Sequence, residues 1–219
     1  MNYPIEYLIY RPIIALFVGK ISGKENIPKD KSFIAAANHS SYLDDALLPY
    51  TAFICTKKNF RIFINSRFYK NPLIRAYLNH YDHIPVDAGK DIKQKQRREE
   101  TNKKAFEKAL QTLKEGKIFL IFPEGGRSDN GKIRKAKIGI ARIALLSKAP
   151  VIPIGITGSY KIWPKGKMFP RPGRAEINIG KPIYFNKFYS KPITKKLLKT
   201  ATGQIMREIS RLAGQRYKP

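Results

Sequence analysis

Lys117-Ile118-Phe119-Leu120-Ile121-Phe122 sits between Gly116 and Pro123 and is apolar at every position after the lysine. Its length and β-branched and aromatic content read as a strand, and the lack of polar alternation suits a strand buried on both faces. Before it, Phe106, Ala109, Leu110 and Leu113 recur at helical spacing, so a long helix ends near Gly116. After it, a helix over 136–147 leads into a strand at 151–157 (VIPIGIT), and another strand follows at 175–179. Residues 193–213 close the chain as an amphipathic helix with Leu197, Leu198, Ala201, Ile205, Ile209 and Leu212 on one face. Upstream, residues 32–37 (SFIAAA), 61–65 and 83–87 read as strands, with helices over 42–52 and 72–79 between them.

Strand and helix alternate, which predicts an α/β fold with a mixed, largely parallel β-sheet flanked by helices. Residues 21–219 are expected to form one such domain. Residues 23–31, around Pro28, read as a turn-rich connection. Ahead of it, residues 1–20 read as an N-terminal helix. Its Tyr3, Tyr7, Leu8, Ile13, Leu16 and Phe17 lie against the core or, as an interfacial helix, against a membrane surface. In this architecture ligand chemistry sits in loops beyond the carboxyl ends of the strands.

Composition narrows the partners. Of 219 residues 42% are hydrophobic and 11% aromatic, which excludes a disordered chain. Lys and Arg number 43 against 16 acids, a formal charge of +27 that calls for polyanionic company. Residues 46–81 hold six basic residues and no acid, and residues 160–219 hold fifteen against Glu176 and Glu208. Cys55 is the single cysteine, which excludes an internal disulfide and a cysteine zinc cluster, and three histidines leave little for a metal site. No metal is therefore expected. No run reaches the roughly 18–20 apolar residues of a spanning helix, and residues 5–18 are interrupted by Glu6, Arg11 and Pro12. A basic nucleic-acid-binding protein would share the charge, but zinc-knuckle, helix-turn-helix and RNP-type blocks are missing, so no specific nucleic acid is expected.

Two motifs carry chemistry. The first, Asn38-His39-Ser40-Ser41-Tyr42-Leu43-Asp44, begins where a strand ends and a helix starts. Ser41 and Asp44 are spaced as a capping box. The same spacing turns the Asp44 carboxylate back toward His39, where it can orient the imidazole as a general base. Asp45 competes for that partner role, but about 100° further round an ordinary helix it is expected to face away, which favours Asp44. The second motif, Phe122-Pro123-Glu124-Gly125-Gly126-Arg127-Ser128, follows the opening strand directly. Its glycines allow backbone N–H groups close to an anion, and Arg127 offers a planar fork for phosphate. Lys132, Arg134, Lys135 and Lys137 strengthen an anion-binding reading, although the Gly-Lys-Ser/Thr ending of a Walker loop is missing.

The ordered pair resembles the glycerolipid acyltransferase family, in particular the 1-acyl-sn-glycerol-3-phosphate (lysophosphatidate) acyltransferases. The family's His, four residues, Asp motif is matched by His39 and Asp44, and its Phe-Pro-Glu-Gly-x-Arg-Ser motif by residues 122–128. Residues 23–28 (GKENIP) and 151–154 (VIPI) are weaker echoes, and the resemblance spans about 21–183. It implies transfer of a fatty acyl group from acyl-CoA or acyl carrier protein (acyl-ACP) to the free hydroxyl of a lysophospholipid, giving phosphatidic acid when the acceptor is lysophosphatidate. His39 would be the base and Asp44 its orienting partner. Glu124, Gly125, Gly126, Arg127 and Ser128, with Lys137, would hold the substrate, and no bound cofactor is implied. The family's middle block, Gly-x-Ile-x-x-x-Arg, is altered here to Asp82-His83-Ile84-Pro85-Val86-Asp87-Ala88, with Lys90 or Lys93 as substitutes for the missing arginine. That leaves open another lysolipid, a glycerol-3-phosphate acceptor, or an inactive lipid-binding relative. A membrane-resident acceptor, the charge, and Trp163 and Phe169 beside Lys161, Lys165 and Lys167 predict a peripheral protein on an anionic membrane surface, at the cytoplasmic face.

Overall fold

The computed structural model describes residues 11–58, 60–87 and 95–217. Seven strands form one sheet in the order β1-β7-β6-β2-β5-β3-β4. They are β1 (Val18–Ser22), β2 (Ile34–Ala37), β3 (Phe60–Asn65), β4 (Ile84–Val86), β5 (Ile118–Ile121), β6 (Val151–Thr157) and β7 (Ala175–Ile179). The helices are α1 (Arg11–Leu16), α2 (Asp44–Thr56), α3 (Pro72–His80), α4 (Lys95–Lys114), α5 (Gly139–Ser147), α6 (Ser159–Ile162) and α7 (Lys195–Leu212).

The apolar run at 118–121 is β5, and every residue of it is buried, as is every residue of β2 beside it. Their side chains alternate between two cores, as strand geometry requires. Ile34, Ala36, Phe119 and Ile121 pack with Ala109 of α4, Ile140 of α5 and Ile205 of α7. Ala35, Ala37, Ile118 and Leu120 pack on the other face with Ile14 of α1 and Leu47 of α2. Each large aliphatic or aromatic side chain buried this way contributes about 1.5–3 kcal/mol before entropy is counted. Helix α7 crosses β6 so closely that a Cβ on Gly155 would lie 2.3 Å from the main-chain carbon of Leu212. That contact leaves room for glycine alone.

Five strands run parallel from β6 to β4, while β7 pairs antiparallel with β6 and β1 parallel with β7. The sheet is therefore mixed and largely parallel, as expected. The N-terminal region differs from expectation. Part of the helix assigned to 1–20 lies outside the described residues, and within them α1 stops at Leu16 and the chain continues as the edge strand β1. Among the described residues only β7 partners β1, and Ala175 lies far downstream of Val18, so local periodicity carried no sign of it. Among the described residues no helix is long and apolar enough to cross a membrane.

Candidate active site

The two motifs leave the carboxyl ends of the neighbouring strands β2 and β5 and meet there. Asn38 fixes the first. Its Nδ2 donates to the Ile156 carbonyl (2.9 Å) and its Oδ1 accepts from the Ile156 N–H (2.7 Å), so one side chain serves both main-chain groups of a β6 residue. The second motif holds the main chain of His39. The His39 N–H donates to Glu124 Oε1 (2.8 Å), and the His39 carbonyl accepts from the Ser128 N–H (2.8 Å). The imidazole stacks on the Phe122 ring at 4.0 Å and 13°. Backbone and ring are thus held from three sides, and the side chain is almost wholly buried.

Asp44 stands behind the ring. Its fully buried Oδ2 lies 3.2 Å from His39 Nδ1 and accepts from the N–H groups of Ser40 (2.6 Å) and Ser41 (2.8 Å). The capping box is half formed. Asp44 reaches back to the Ser41 N–H, but the Ser41 hydroxyl accepts from the Leu43 N–H (3.0 Å) and donates to the Trp163 carbonyl (2.7 Å). With Nδ1–H donating to the carboxylate, Nε2 is the nitrogen left for an incoming group.

Asp45 does not face away. Its Oδ1 lies 3.5 Å from His39 Nε2, and its Oδ2 forms an ion pair with Arg127 Nη2. The expectation failed because the chain carrying His39 folds across the start of α2, so both first-turn carboxylates reach the ring from opposite sides. The Arg127 guanidinium also lies over the Tyr42 ring, 4.3 Å from its centre. Sequence reading weighed Asp45 against Asp44 and set it aside, and gave Asn38, Phe122 and Tyr42 no role of their own.

The substrate-binding expectations divide. Arg127 opens toward the His39 edge of the site through Asp45. Gly125 turns at φ 70°, and a Cβ there would lie 2.7 Å from Cε of Lys137, so the glycine lets the lysine stem cross the turn. Gly126 leaves room, with Arg134 Nη1 3.7 Å from the position of a Cβ. Glu124 and Ser128, expected on the substrate, are turned into the protein. Glu124 Oε1 holds His39 N–H and Oε2 accepts from the Arg134 N–H (2.7 Å), while the buried Ser128 hydroxyl bonds Asn130 Oδ1 (3.1 Å). Burial raises the Glu124 carboxyl above the ordinary range, against the pull of those two N–H bonds. Glu124→Gln turns an amide NH₂ toward one of the two backbone donors. It is expected to cost about 1–3 kcal/mol in a urea unfolding curve and to lower turnover with it.

The altered middle block has a backbone explanation. Asp82 has φ 54°, a left-handed conformation natural to glycine and tolerated by aspartate. Its side chain pairs with Arg61 and Lys108. Burial pushes the neighbouring His83 down to about 4, so it is neutral at pH 7, and its ring stacks on Phe60 and Tyr81. Ala88, Lys90 and Lys93 lie outside the described residues. Trp163, expected as a membrane anchor, is half-buried, with Nε1 bonded to the Lys167 carbonyl (3.0 Å) and its own carbonyl bonded to the Tyr42 N–H (3.0 Å). Among the described residues no group of three or more His, Cys, Asp or Glu gathers to hold a metal ion.

Known proteins show which family the chain resembles. A family model described as Acyltransferase matches residues 19–157. The 1-acyl-sn-glycerol-3-phosphate acyltransferase of Bacillus subtilis is 28% identical over 197 residues, covering 87% of each chain. The chloroplast enzyme of that name, LPAT1, from Arabidopsis thaliana is 27% identical over 169 residues, covering 76% of this chain but 44% of the longer relative. The crystal structure of the 1-acyl-sn-glycerophosphate acyltransferase PlsC from Thermotoga maritima superposes with a TM-score of 0.68 at 29% identity, over 98% of this chain and 80% of that one. With more than half of its length matched, and both motifs meeting at the carboxyl ends of β2 and β5, the chain belongs to the acyltransferase family.

Proposed function

We propose that this acyltransferase moves a fatty acyl group from a thioester of coenzyme A or acyl carrier protein to the free hydroxyl of lysophosphatidate, forming phosphatidic acid. The observation that carries the proposal is the spacing between His39 and Arg127. One carboxylate, that of Asp45, touches Nε2 with one oxygen and Arg127 with the other. An acceptor with its hydroxyl and phosphate a few bonds apart fits that gap. Relatives named for this acceptor support the choice of lipid.

The acceptor hydroxyl gives its proton to His39 Nε2 as its oxygen adds to the thioester carbonyl. The tetrahedral intermediate then collapses, the C–S bond breaks, and the departing sulfur takes the proton back from the imidazolium. Asp44 holds the ring and balances its transient positive charge. Arg127 and Lys137 bind the acceptor's phosphate. No bound cofactor takes part.

The lipid has to be met at a membrane. Met168 and Phe169 are three-quarters exposed, on a segment that carries Lys165, Lys167 and Arg171 and joins the site through the Ser41–Pro164 bridge. Ile13 and Leu16 of α1 are exposed as well. These apolar tips among cations suit peripheral docking on an anionic cytoplasmic face, with about 1 kcal/mol per basic residue near the surface.

The test is acyl transfer by the purified protein to a panel of lysolipids in anionic vesicles, with both donor classes. Lysophosphatidate is expected to be the best acceptor. Arg127→Ala is expected to raise its KM about tenfold or more, in line with about 1.5–3 kcal/mol for a charge-assisted hydrogen bond, while the thioester KM hardly moves. An equal effect on both substrates, or a preference for neutral acceptors, would refute this assignment.

A further inference from the structure

We infer that Asp45 is a specificity-determining latch: its carboxylate occupies the acceptor phosphate's place on Arg127 and must be displaced before the acceptor can bind. The inference rests on the proposed function, since it takes Arg127 to be a phosphate site. The outer nitrogen of Arg127 pairs with Asp45 Oδ2, and the other oxygen of that carboxylate stands 3.5 Å from His39 Nε2, where the acceptor hydroxyl has to arrive. Asp45 thus covers both places the acceptor needs.

The contact is built to open. The Asp45 side chain is 39% exposed, unlike Asp44, which is fully buried and committed to two backbone N–H groups. A part-exposed ion pair of this kind adds little net stability, so solvent can take Asp45 back at small cost. Arg127 does not need Asp45 to stay in place, because its guanidinium already lies over Tyr42 at 4.3 Å. A phosphate brings more charge than a carboxylate and can engage the guanidinium fork, so it wins the exchange. A neutral or weakly anionic acceptor does not, and Nε2 stays covered. The latch therefore lowers apparent affinity for every acceptor by the fraction of molecules that are closed, and favours those able to open it.

The opposite role, a brace that aims Arg127, predicts the opposite sign. Inorganic phosphate is titrated into the full chain and followed by the chemical shifts of the His39 ring, in wild type, Asp45→Asn and Asp129→Asn. Asp129 is an exposed acid two residues beyond Arg127 that pairs with Lys165, and its removal controls for the general field. The latch predicts a several-fold gain in phosphate affinity for Asp45→Asn alone, a matching fall in the acceptor KM and an unchanged thioester KM. An unchanged or weaker affinity, or an equal gain in Asp129→Asn, overturns it. If wild-type protein binds phosphate but acylates no phosphorylated acceptor with any donor, the functional reading fails instead, and the titration still decides whether Asp45 excludes anions from Arg127.

Discussion

His39→Ala is expected to lower kcat by about 10²–10⁴-fold, the usual contribution of a positioned general base. The thioester KM is expected to change little, because the ring is aimed at the acceptor side of the site. The fold is expected to survive, since the segment is held by its own main chain through Glu124 and Ser128 and by the side chain of Asn38, none of which needs the imidazole. What the protein loses is the stacked contact with Phe122, the bond from Nδ1 to Asp44 and the contact of Nε2 with Asp45. The vacated space gives a further check, because free imidazole added to the assay should restore part of the rate, rising with pH as the neutral base form increases. Undiminished turnover in the alanine variant would end the general-base mechanism. Lost turnover with lost structure, read by circular dichroism, would show that the ring is a structural part instead.

The second large effect separates two duties of one carboxylate. Asp44→Asn keeps an oxygen for the Ser40 and Ser41 N–H groups but removes the charge behind His39. Its thermal midpoint should stay near that of the wild type, while kcat falls by about 10²–10⁴-fold, as for other imidazoles that lose their carboxylate partner. Asp44→Ala removes the acceptor as well. Two buried N–H groups then go unpaired at about 1–3 kcal/mol each, so this variant should lose stability along with activity. Equal stability of the two variants would mean that the backbone bonds to Asp44 carry no weight.

Much of this arrangement was legible in the sequence, and the residues show why. The strand at 118–121 announced itself because both of its faces are buried, and the strands at 151–157 and 175–179 matched residue for residue. The direction of β7 did not, since antiparallel pairing with β6 leaves the same apolar alternation as parallel pairing. Strand β1 was hidden because its partner is remote and Gly19 and Lys20 interrupt its pattern. At the site, the spacing singled out His39, Asp44 and Arg127, and the fold brings the three together around Asp45. Glu124 was expected on the substrate, and its carboxylate accepts instead from the His39 and Arg134 N–H groups, because a motif shows that a carboxylate belongs there and not which way it points. Asp45 was set aside on the geometry of a regular helix, and that geometry does not govern the loop folding over the helix start.

The pairing of β2 bears on how the protein is made. Its neighbours are β5 and β6, and the contacts that secure the first motif join residues 85 and 118 positions apart. A nascent chain therefore presents Ile34 through Ala37, all destined for the deep interior, long before their partners leave the ribosome. Closing such large loops precedes any reward from the contacts, which slows folding and leaves a sticky segment waiting. A polypeptide halted ahead of Ile156 would carry the imidazole on a segment without its Asn38 anchor to β6, so premature termination would yield material for chaperones and proteases rather than a weak catalyst.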